Sequence, residues 1–193
     1  MENKNNKKVS ESVKKIADEL RDVLEELAWG GSKGSACFTG HRKMKDDERE
    51  ITDKLYTLLE RLYDEESISD FYAGGAVGFD TVAAKCVLRL KEKHKYVKLH
   101  LILPCSNEEQ TRNLTASQKN EFNDILKRAD SVEYTSPHYF KGCMSRRNKR
   151  LVECAEDCCI CYYDSTVKSG TAQTVELAKK KGLKIYDLFE RKG

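Results

Sequence analysis

The feature that most constrains the fold is a regular alternation of short apolar runs with longer amphipathic runs after residue 35. The short runs are typical of buried strands, whereas the longer runs repeat their apolar residues at helical spacing. Strands are predicted at 36–39, 71–73, 98–103, 131–134, 158–163 and 184–188, and helices at 47–63, 79–94, 117–129, 143–155 and 171–181. Parallel neighbours need crossover connections, so this alternation predicts an α/β, Rossmann-like parallel sheet of about six strands with helices on both faces, plus an N-terminal amphipathic helix.

A glycine-rich loop, with Gly74, Gly75 and Gly78, follows the second predicted strand and precedes a helix. Glycines let the backbone turn sharply and let a ligand approach the main chain, and the helix N-terminus favours an anion such as phosphate. The loop has neither the P-loop nor the GxGxxG spacing, so alone it fits a phosphate cradle and a packing turn equally. Asp80, in the first helical turn, either interacts with the helix dipole or serves as a ribose ligand or base.

Ligands of parallel α/β sheets bind outside the carboxyl ends of the strands, which directs attention to the other loops there. The first strand ends in Thr39, Gly40, His41 and Arg42, which supply a hydroxyl, a close backbone approach and a guanidinium that matches phosphate. His41 has no visible partner and is predicted to be solvated. Cys105 follows the third strand, but no base lies near it in sequence, so no nucleophilic role is predicted.

The helix predicted at 143–155 places Arg147 and Asn148 on the same stripe as its apolar residues. Burying an unpaired guanidinium is costly, so Arg147 needs a partner. That partner is either a structural carboxylate such as Asp80 or a ligand phosphate, and the loop that follows the next strand favours the phosphate.

That loop opens the helix predicted at 171–181 and carries Ser169, Gly170, Thr171 and Thr174. Its small residues, hydroxyls and exposed amides make a second anion cradle. Two such loops and an inward arginine form a combination more specific than any one part. Together they predict a phosphate between the two loops, with Arg147 as its charge partner.

The N-terminal region is predicted to form an amphipathic helix at 9–28, followed by a flexible linker at 29–35. Its apolar residues recur at spacings of three and four: Val13, Ile16, Leu20, Val23 and Leu27. Packing on the domain's flank is preferred to homo-oligomerisation, because the pattern is too short for a coiled coil. The predicted domains are 1–35 and 36–193, and the sequence does not distinguish a native linker from an engineered one.

Composition excludes several classes of function. No apolar run reaches transmembrane length, and the polar N-terminus lacks a secretory signal, which predicts a cytoplasmic protein without membrane contact. The net charge of +3 is too small to indicate nucleic acid binding. Eight cysteines are predicted to be buried thiols. No metal site is predicted, because the CxxC spacing at 158–161 lies in a strand, where its cysteines face opposite sides.

These motifs resemble, in order and spacing, those of the SLOG superfamily. The motifs that carry the resemblance are Thr39–Arg42, Gly74–Asp80, Pro104–Cys105, Arg147–Asn148 and Ser169–Val175. Over residues 36–189 the chain most resembles the YpsA-like branch, with DprA and the LOG (Lonely Guy) enzymes as relatives. The resemblance implies a Rossmann-like domain that senses or sequesters a nucleotide or nucleotide-derived ligand and needs no cofactor. Asn148, Asp80, Thr39 and Arg42 would then contact the ribose or base.

Two alternatives follow from the same resemblance. LOG enzymes release the base from a nucleoside 5′-monophosphate, but where they carry glutamates this chain has Gln173 and Thr174. Hydrolysis would therefore require Asp80 or Glu176, with Arg147. A DprA-like protein would bind single-stranded DNA through a basic groove with aromatics, of which 139–150 is a weak version.

Overall fold

The computed structural model describes residues 11–17, 19–21, 23, 24, 27 and 33–190, and the chain divides into two units, 1–33 and 34–193. The described residues up to 27 are helical and exposed, which confirms an N-terminal helix. Its packing or self-association stays a prediction. Most of the predicted linker lies outside the described residues, and its last two residues, Gly34 and Ser35, belong to the first strand.

The second unit is a six-stranded, fully parallel sheet in the order β4-β3-β2-β1-β5-β6. The strands are β1 (Gly34–Gly40), β2 (Ile68–Ala73), β3 (Lys98–Leu103), β4 (Ser131–Tyr134), β5 (Cys158–Tyr162) and β6 (Lys184–Asp187). The helices are α1 (Glu48–Glu66), α2 (Phe79–Lys91), α3 (Asn107–Thr111), α4 (Ala116–Arg128), α5 (Cys143–Cys154) and α6 (Gly170–Lys181). The predicted Rossmann-like class is confirmed, and α3 is an element that apolar periodicity did not predict.

The two faces of the sheet are covered by different helices. On one face Phe38 and Phe71 stack with ring centroids 6.0 Å apart, and α1 packs against α2. On the other face Cys37 and Cys159 face the packed pair α5 and α6. Right-handed crossovers explain this arrangement, because the chain advances from β1 to β4 in one direction and then crosses to β5 on the opposite side.

Polar groups define where several helices begin and end. The Asp47 carboxylate accepts hydrogen bonds from the first amides of α1, and Thr115 with Gln118 forms a capping box at α4. The Lys181 ammonium donates to the carbonyls of Val152, Glu153 and Ala155, satisfying the C-terminal end of α5. Within the described residues, no helix combines the length and apolar character needed to cross a bilayer.

Gly40→Ala tests the contact between the end of β1 and α2. A Cβ at position 40 would lie 2.4 Å from Phe79 Cβ, closer than real contacts allow. We expect a loss of about 1–3 kcal/mol in the free energy of unfolding, measured by urea denaturation. Gly170→Ala is the matched control, because its Cβ would lie 3.3 Å from Asn148 Nδ2 and would need only a small adjustment. Equal stability of the two variants would contradict this packing constraint.

Candidate functional site

The glycine loop after β2 is shaped by close approaches at each of its glycines. Gly75 and Gly78 have φ angles of +66° and +86°, in the region that favours glycine. A Cβ at Gly74 would lie 1.2 Å from Nη1 of Arg147, so the guanidinium lies directly against the main chain there. The sequence predicts that a ligand approaches the main chain closely at this loop. At Gly74 the group that makes this close approach is the guanidinium of Arg147, which comes from α5 (Cys143–Cys154).

Arg147 and Asp80 form a buried ion pair beside Gly74. Nη1 of Arg147 donates to Oδ2 of Asp80 at 3.2 Å, and the two residues are only 7% and 5% exposed. Burial raises the pKa of the Asp80 carboxyl, and the guanidinium opposes that rise. The carboxylate partner considered from sequence is thus present. Nε of Arg147 is nevertheless buried without a hydrogen-bond partner among the described residues.

Asn148 connects α5 to the start of α6. Its Nδ2 donates to the carbonyl of Gly170 at 3.3 Å, and the Thr174 hydroxyl donates to the same oxygen at 2.9 Å. Thr171 and Thr174 are buried, and the buried Ser169 hydroxyl has no partner among the described residues. The structure therefore joins the predicted second loop to the Arg147–Asn148 helix through this carbonyl.

A cleft of about 700 Å³ lies along the carboxyl ends of β2 and β3. Four of the predicted ligand residues line it: Arg42, Gly74, Gly75 and Arg147. The other predicted ligand residues do not line this cleft, although Asp80 contacts the cleft residue Arg147; they are Thr39, Gly40, Gly78, Asp80, Asn148, Ser169, Gly170, Thr171 and Thr174. The cleft is therefore centred nearer β3 than the sequence indicated.

The second wall of the cleft comes from α3 and the loop before α5, which sequence reasoning did not assign to the site. Gln110 Nε2 donates to the carbonyl of Gly75 at 2.9 Å, while its Oε1 is buried without a partner among the described residues. The Glu109 carboxylate accepts the Tyr139 amide at 2.5 Å. The Ser106-x-x-Glu109 spacing is typical of a helix start and could have indicated α3, although the Ser106 side chain makes no capping hydrogen bond in the structure.

His41 is anchored rather than solvated, contrary to the expectation from sequence. Its Nε2 accepts the backbone N–H of Asp164 at 2.9 Å, and its carbonyl accepts the amide of Phe79 at 3.3 Å. The loop after β1 is therefore fastened both to the loop after β5 and to the start of α2. Arg42, the next residue, is exposed beside the cleft.

A second, smaller space of about 280 Å³ lies between the loops that follow β1 and β5, and we call it the switch-point pocket. Its lining residues are His41, Arg42, Lys43, Lys45, Tyr162, Asp164, Val167 and Phe189. Lys45 Nζ contacts Oδ2 of the buried Asp164 at 2.6 Å, and the Thr166 amide and hydroxyl donate to Oδ1. These contacts, the Lys45 hydrogen bond above all, lower the pKa of Asp164.

The other residues considered for catalysis, Glu176 and Cys105, do not line the cleft. Glu176 is exposed and pairs with Lys180 at 2.9 Å on the surface of α6. Cys105 is buried, and burial raises the pKa of its thiol, which disfavours the nucleophilic thiolate. All eight cysteines are free. Across the part of the chain that the structure describes, no cluster of His, Cys, Asp or Glu is arranged to hold a metal ion.

Asp80 and Arg147 should behave as one energetic unit. Arg147→Gln leaves the Asp80 carboxylate buried without its cation, and we expect it to cost about 3–5 kcal/mol in the free energy of unfolding. Asp80→Asn combined with Arg147→Gln should cost less than Arg147→Gln alone, because no buried charge is left behind. Urea denaturation of both single variants and the double variant measures this coupling, and simple additivity would contradict it.

Asp164 should stabilise the protein in a pH-dependent way. Its pKa is lower in the folded state than its ordinary value of 3.8, so its contribution is present above that value and is lost as pH falls through the folded pKa. The melting temperature of Asp164→Asn should therefore lie below that of the wild type at neutral pH, and the gap should narrow progressively as the pH falls below about 4. A gap that is unchanged down to pH 3 would contradict this assignment.

The comparisons with known proteins agree with the motifs. The chain is 32% identical over 142 residues to the uncharacterized SPbeta prophage-derived protein YoqJ of Bacillus subtilis, covering 67% of this chain and 81% of that protein. It is 29% identical over 143 residues to the UPF0398 protein BH1768 of Halalkalibacterium halodurans, covering 73% and 71% of the two chains. A sequence model of the YspA SLOG family, named YpsA, matches residues 37–188. The chain therefore belongs to the YspA SLOG family.

Proposed function

We propose that this protein binds a nucleotide or a nucleotide-derived small molecule in the 700 Å³ cleft and acts by sensing or sequestering it. The observation that carries the proposal is Arg147, a guanidinium that is 7% exposed, lines the cleft and has an unpartnered Nε. Its hydrogen bond to Asp80 uses Nη1, which leaves other donors for a phosphate. A buried donor without a partner is costly, and a ligand oxygen would satisfy it.

A second buried polar atom without a partner, this time an acceptor, supports a ligand that carries hydrogen-bond donors as well as acceptors. Gln110 lines the cleft with a buried Oε1 that has no partner among the described residues, while its Nε2 is held by Gly75. An acceptor that is unsatisfied in the protein suits a hydroxyl or an exocyclic amine. A nucleotide supplies such donors together with the phosphate oxygens that suit Arg147.

The composition of the cleft rim agrees with this ligand class. Arg42 and Arg112 provide positive charge at the opening, and Asn113 provides an amide that can read a base or a ribose. Tyr139 lines the cleft and is 60% exposed, so its ring has a free face for stacking. The predicted phosphate position between the Gly74 and Ser169 loops remains part of this proposal.

The cellular setting that we propose is the cytoplasm. All eight cysteines are free, and seven of them are buried. Reduced thiols of this kind are typical of proteins in reducing compartments.

We do not propose glycosidic hydrolysis. Asp80 is engaged with Arg147, and Glu176 is engaged with Lys180 at the surface rather than in the cleft. Binding to single-stranded DNA is also not favoured, because carboxylates already contact cations of α5: Arg150 contacts Glu133 at 2.8 Å. Tyr139 and Phe140 are exposed beside this helix, but Lys149 on it also contacts a carboxylate, that of Glu153 at 3.8 Å.

A thermal-shift screen tests the proposal directly, with inorganic phosphate, ribose 5-phosphate, nucleoside mono- and diphosphates, dinucleotides and cyclic nucleotides as probes. A ligand at a hundredfold excess over its Kd stabilises the folded state by about 2.7 kcal/mol, which raises the Tm by roughly 5–10 °C in a chain of this size. Arg147→Lys keeps the charge beside Asp80 but removes the fork of donors, so it should weaken binding at least tenfold.

Arg146→Gln is the matched control, because Arg146 is exposed on the same helix and does not line the cleft. It should bind as the wild type does. Absence of a shift with every nucleotide would overturn the proposal, as would equal binding by the wild type and Arg147→Lys. Release of the free base from a bound nucleotide would show that the protein hydrolyses its ligand, and would contradict a role limited to sensing or sequestration.

A further inference from the structure

The strand order reverses its direction between β1 and β5. The chain builds the sheet from β1 to β4 on one side and then returns to place β5 on the other side of β1. Ligands of open α/β sheets bind in the crevice that such a reversal opens outside the carboxyl ends of the strands. In this protein that crevice holds the switch-point pocket, which lies beside the 700 Å³ cleft and not inside it.

The switch-point pocket has an apolar wall suited to a flat group. Phe189 packs edge-on against the buried ring of Tyr162, with centroids 5.3 Å apart and an interplanar angle of 82°. Val167 is 39% exposed on the same pocket. An aromatic ring and an exposed aliphatic side chain at one opening provide the contacts that a nucleobase uses.

The charges of the pocket favour an anion at its rim. The carboxylate of Asp164 is compensated by Lys45 at 2.6 Å and by the Thr166 donors. Arg42 and Lys43 also line the pocket, and neither forms an ion pair with a described residue. The net charge presented to a ligand is therefore positive.

Arg42 links the two spaces. It lines the cleft and the switch-point pocket, and its carbonyl oxygen lies 2.4 Å from where a Cβ of Gly78 would be, so its backbone lies against the glycine loop. On one side of Arg42 the cleft carries the exposed ring of Tyr139, and on the other side the pocket carries Phe189. The site thus has two aromatic ends with a cation between them.

We propose that the ligand of this site is a dinucleotide, in which two nucleoside units are joined through phosphate groups. One unit lies in the cleft against Tyr139, the joining phosphates contact Arg147 and Arg42, which both line the cleft, and the second unit lies in the switch-point pocket against Phe189. This inference rests on the proposed function, because it assumes nucleotide binding in the cleft. Joining two weakly bound units in one molecule raises the affinity through effective concentration without any new contact.

Isothermal titration calorimetry with AMP and with diadenosine 5′,5′-pyrophosphate tests the inference, and the 3′,5′-linked dinucleotide ApA distinguishes a phosphodiester from a pyrophosphate link. The wild type should bind one of the two dinucleotides at least tenfold more tightly than AMP. Phe189→Ala should abolish that advantage and leave the affinity for AMP unchanged. Val167→Glu, which adds a carboxylate to the pocket without removing a buried group, should do the same.

Phe140→Ala is the matched control, because Phe140 is 42% exposed and lines neither space. It should retain the dinucleotide advantage. AMP binding as tight as that of both dinucleotides would overturn the inference while the proposed function stands, as would a dinucleotide advantage that survives in Phe189→Ala and Val167→Glu. Absence of binding by all three compounds would overturn the inference, and a thermal-shift screen that is negative with every nucleotide would overturn the proposed function as well.

Discussion

The parallel pairing of β1 with β2 on one side and with β5 on the other is the constraint on which the rest of the domain depends. Parallel strands need crossovers, and right-handed crossovers on the two sides of β1 require helices on both faces of the sheet. Strands covered on both faces become continuously apolar, as the fully buried β5 shows. Because all six strands are parallel, the loops that follow them lie at one edge of the sheet, where polar residues from different loops can contact one another.

The Arg147–Asp80 pair is a buried ion pair at that edge of the sheet. The two residues come from α5 and α2, which lie on opposite faces of the sheet, and they meet over Gly74 at its carboxyl edge. Only glycine leaves room for the guanidinium, because any Cβ would overlap it. Desolvating both charges opposes folding, and their mutual attraction offsets part of that cost. A gain in folding free energy is therefore a weak explanation for this buried pair. A role for the charged group at the cleft explains it better.

Much of the fold followed from the sequence because its signals are local. Each strand of the described sheet was predicted within a few residues, since a buried parallel strand is an apolar run bounded by turn residues. The inward direction of Arg147 also followed from helical spacing, and its burial confirms it. The strand β1 began two residues earlier than predicted, because Gly34 and Ser35 resemble a linker but pair with β2.

What sequence did not predict depends on contacts between distant residues. The sequence near His41 shows no partner for its side chain, because the Asp164 amide that it contacts is 123 residues away in the chain. The helix α3 has only a few residues and no buried side chain, so apolar periodicity cannot reveal it. Glu176 shares a helix with the second loop, but helical rotation turns it to the surface, where Lys180 contacts it.

The two walls of the cleft differ in how firmly the fold holds them. The wall that carries Gly74 and Arg147 is built on β2 and α5, whose side chains reach into the core. The opposite wall, α3, buries no side chain and is attached to its surroundings by polar contacts such as those of Gln110 to Gly75 and Glu109 to Tyr139. Segments with few buried apolar contacts open at lower free energy than the core. We therefore expect any adjustment of the cleft to the proposed ligand to be concentrated in α3 and Tyr139, while Arg147, the arginine that we propose as the phosphate ligand, keeps its place.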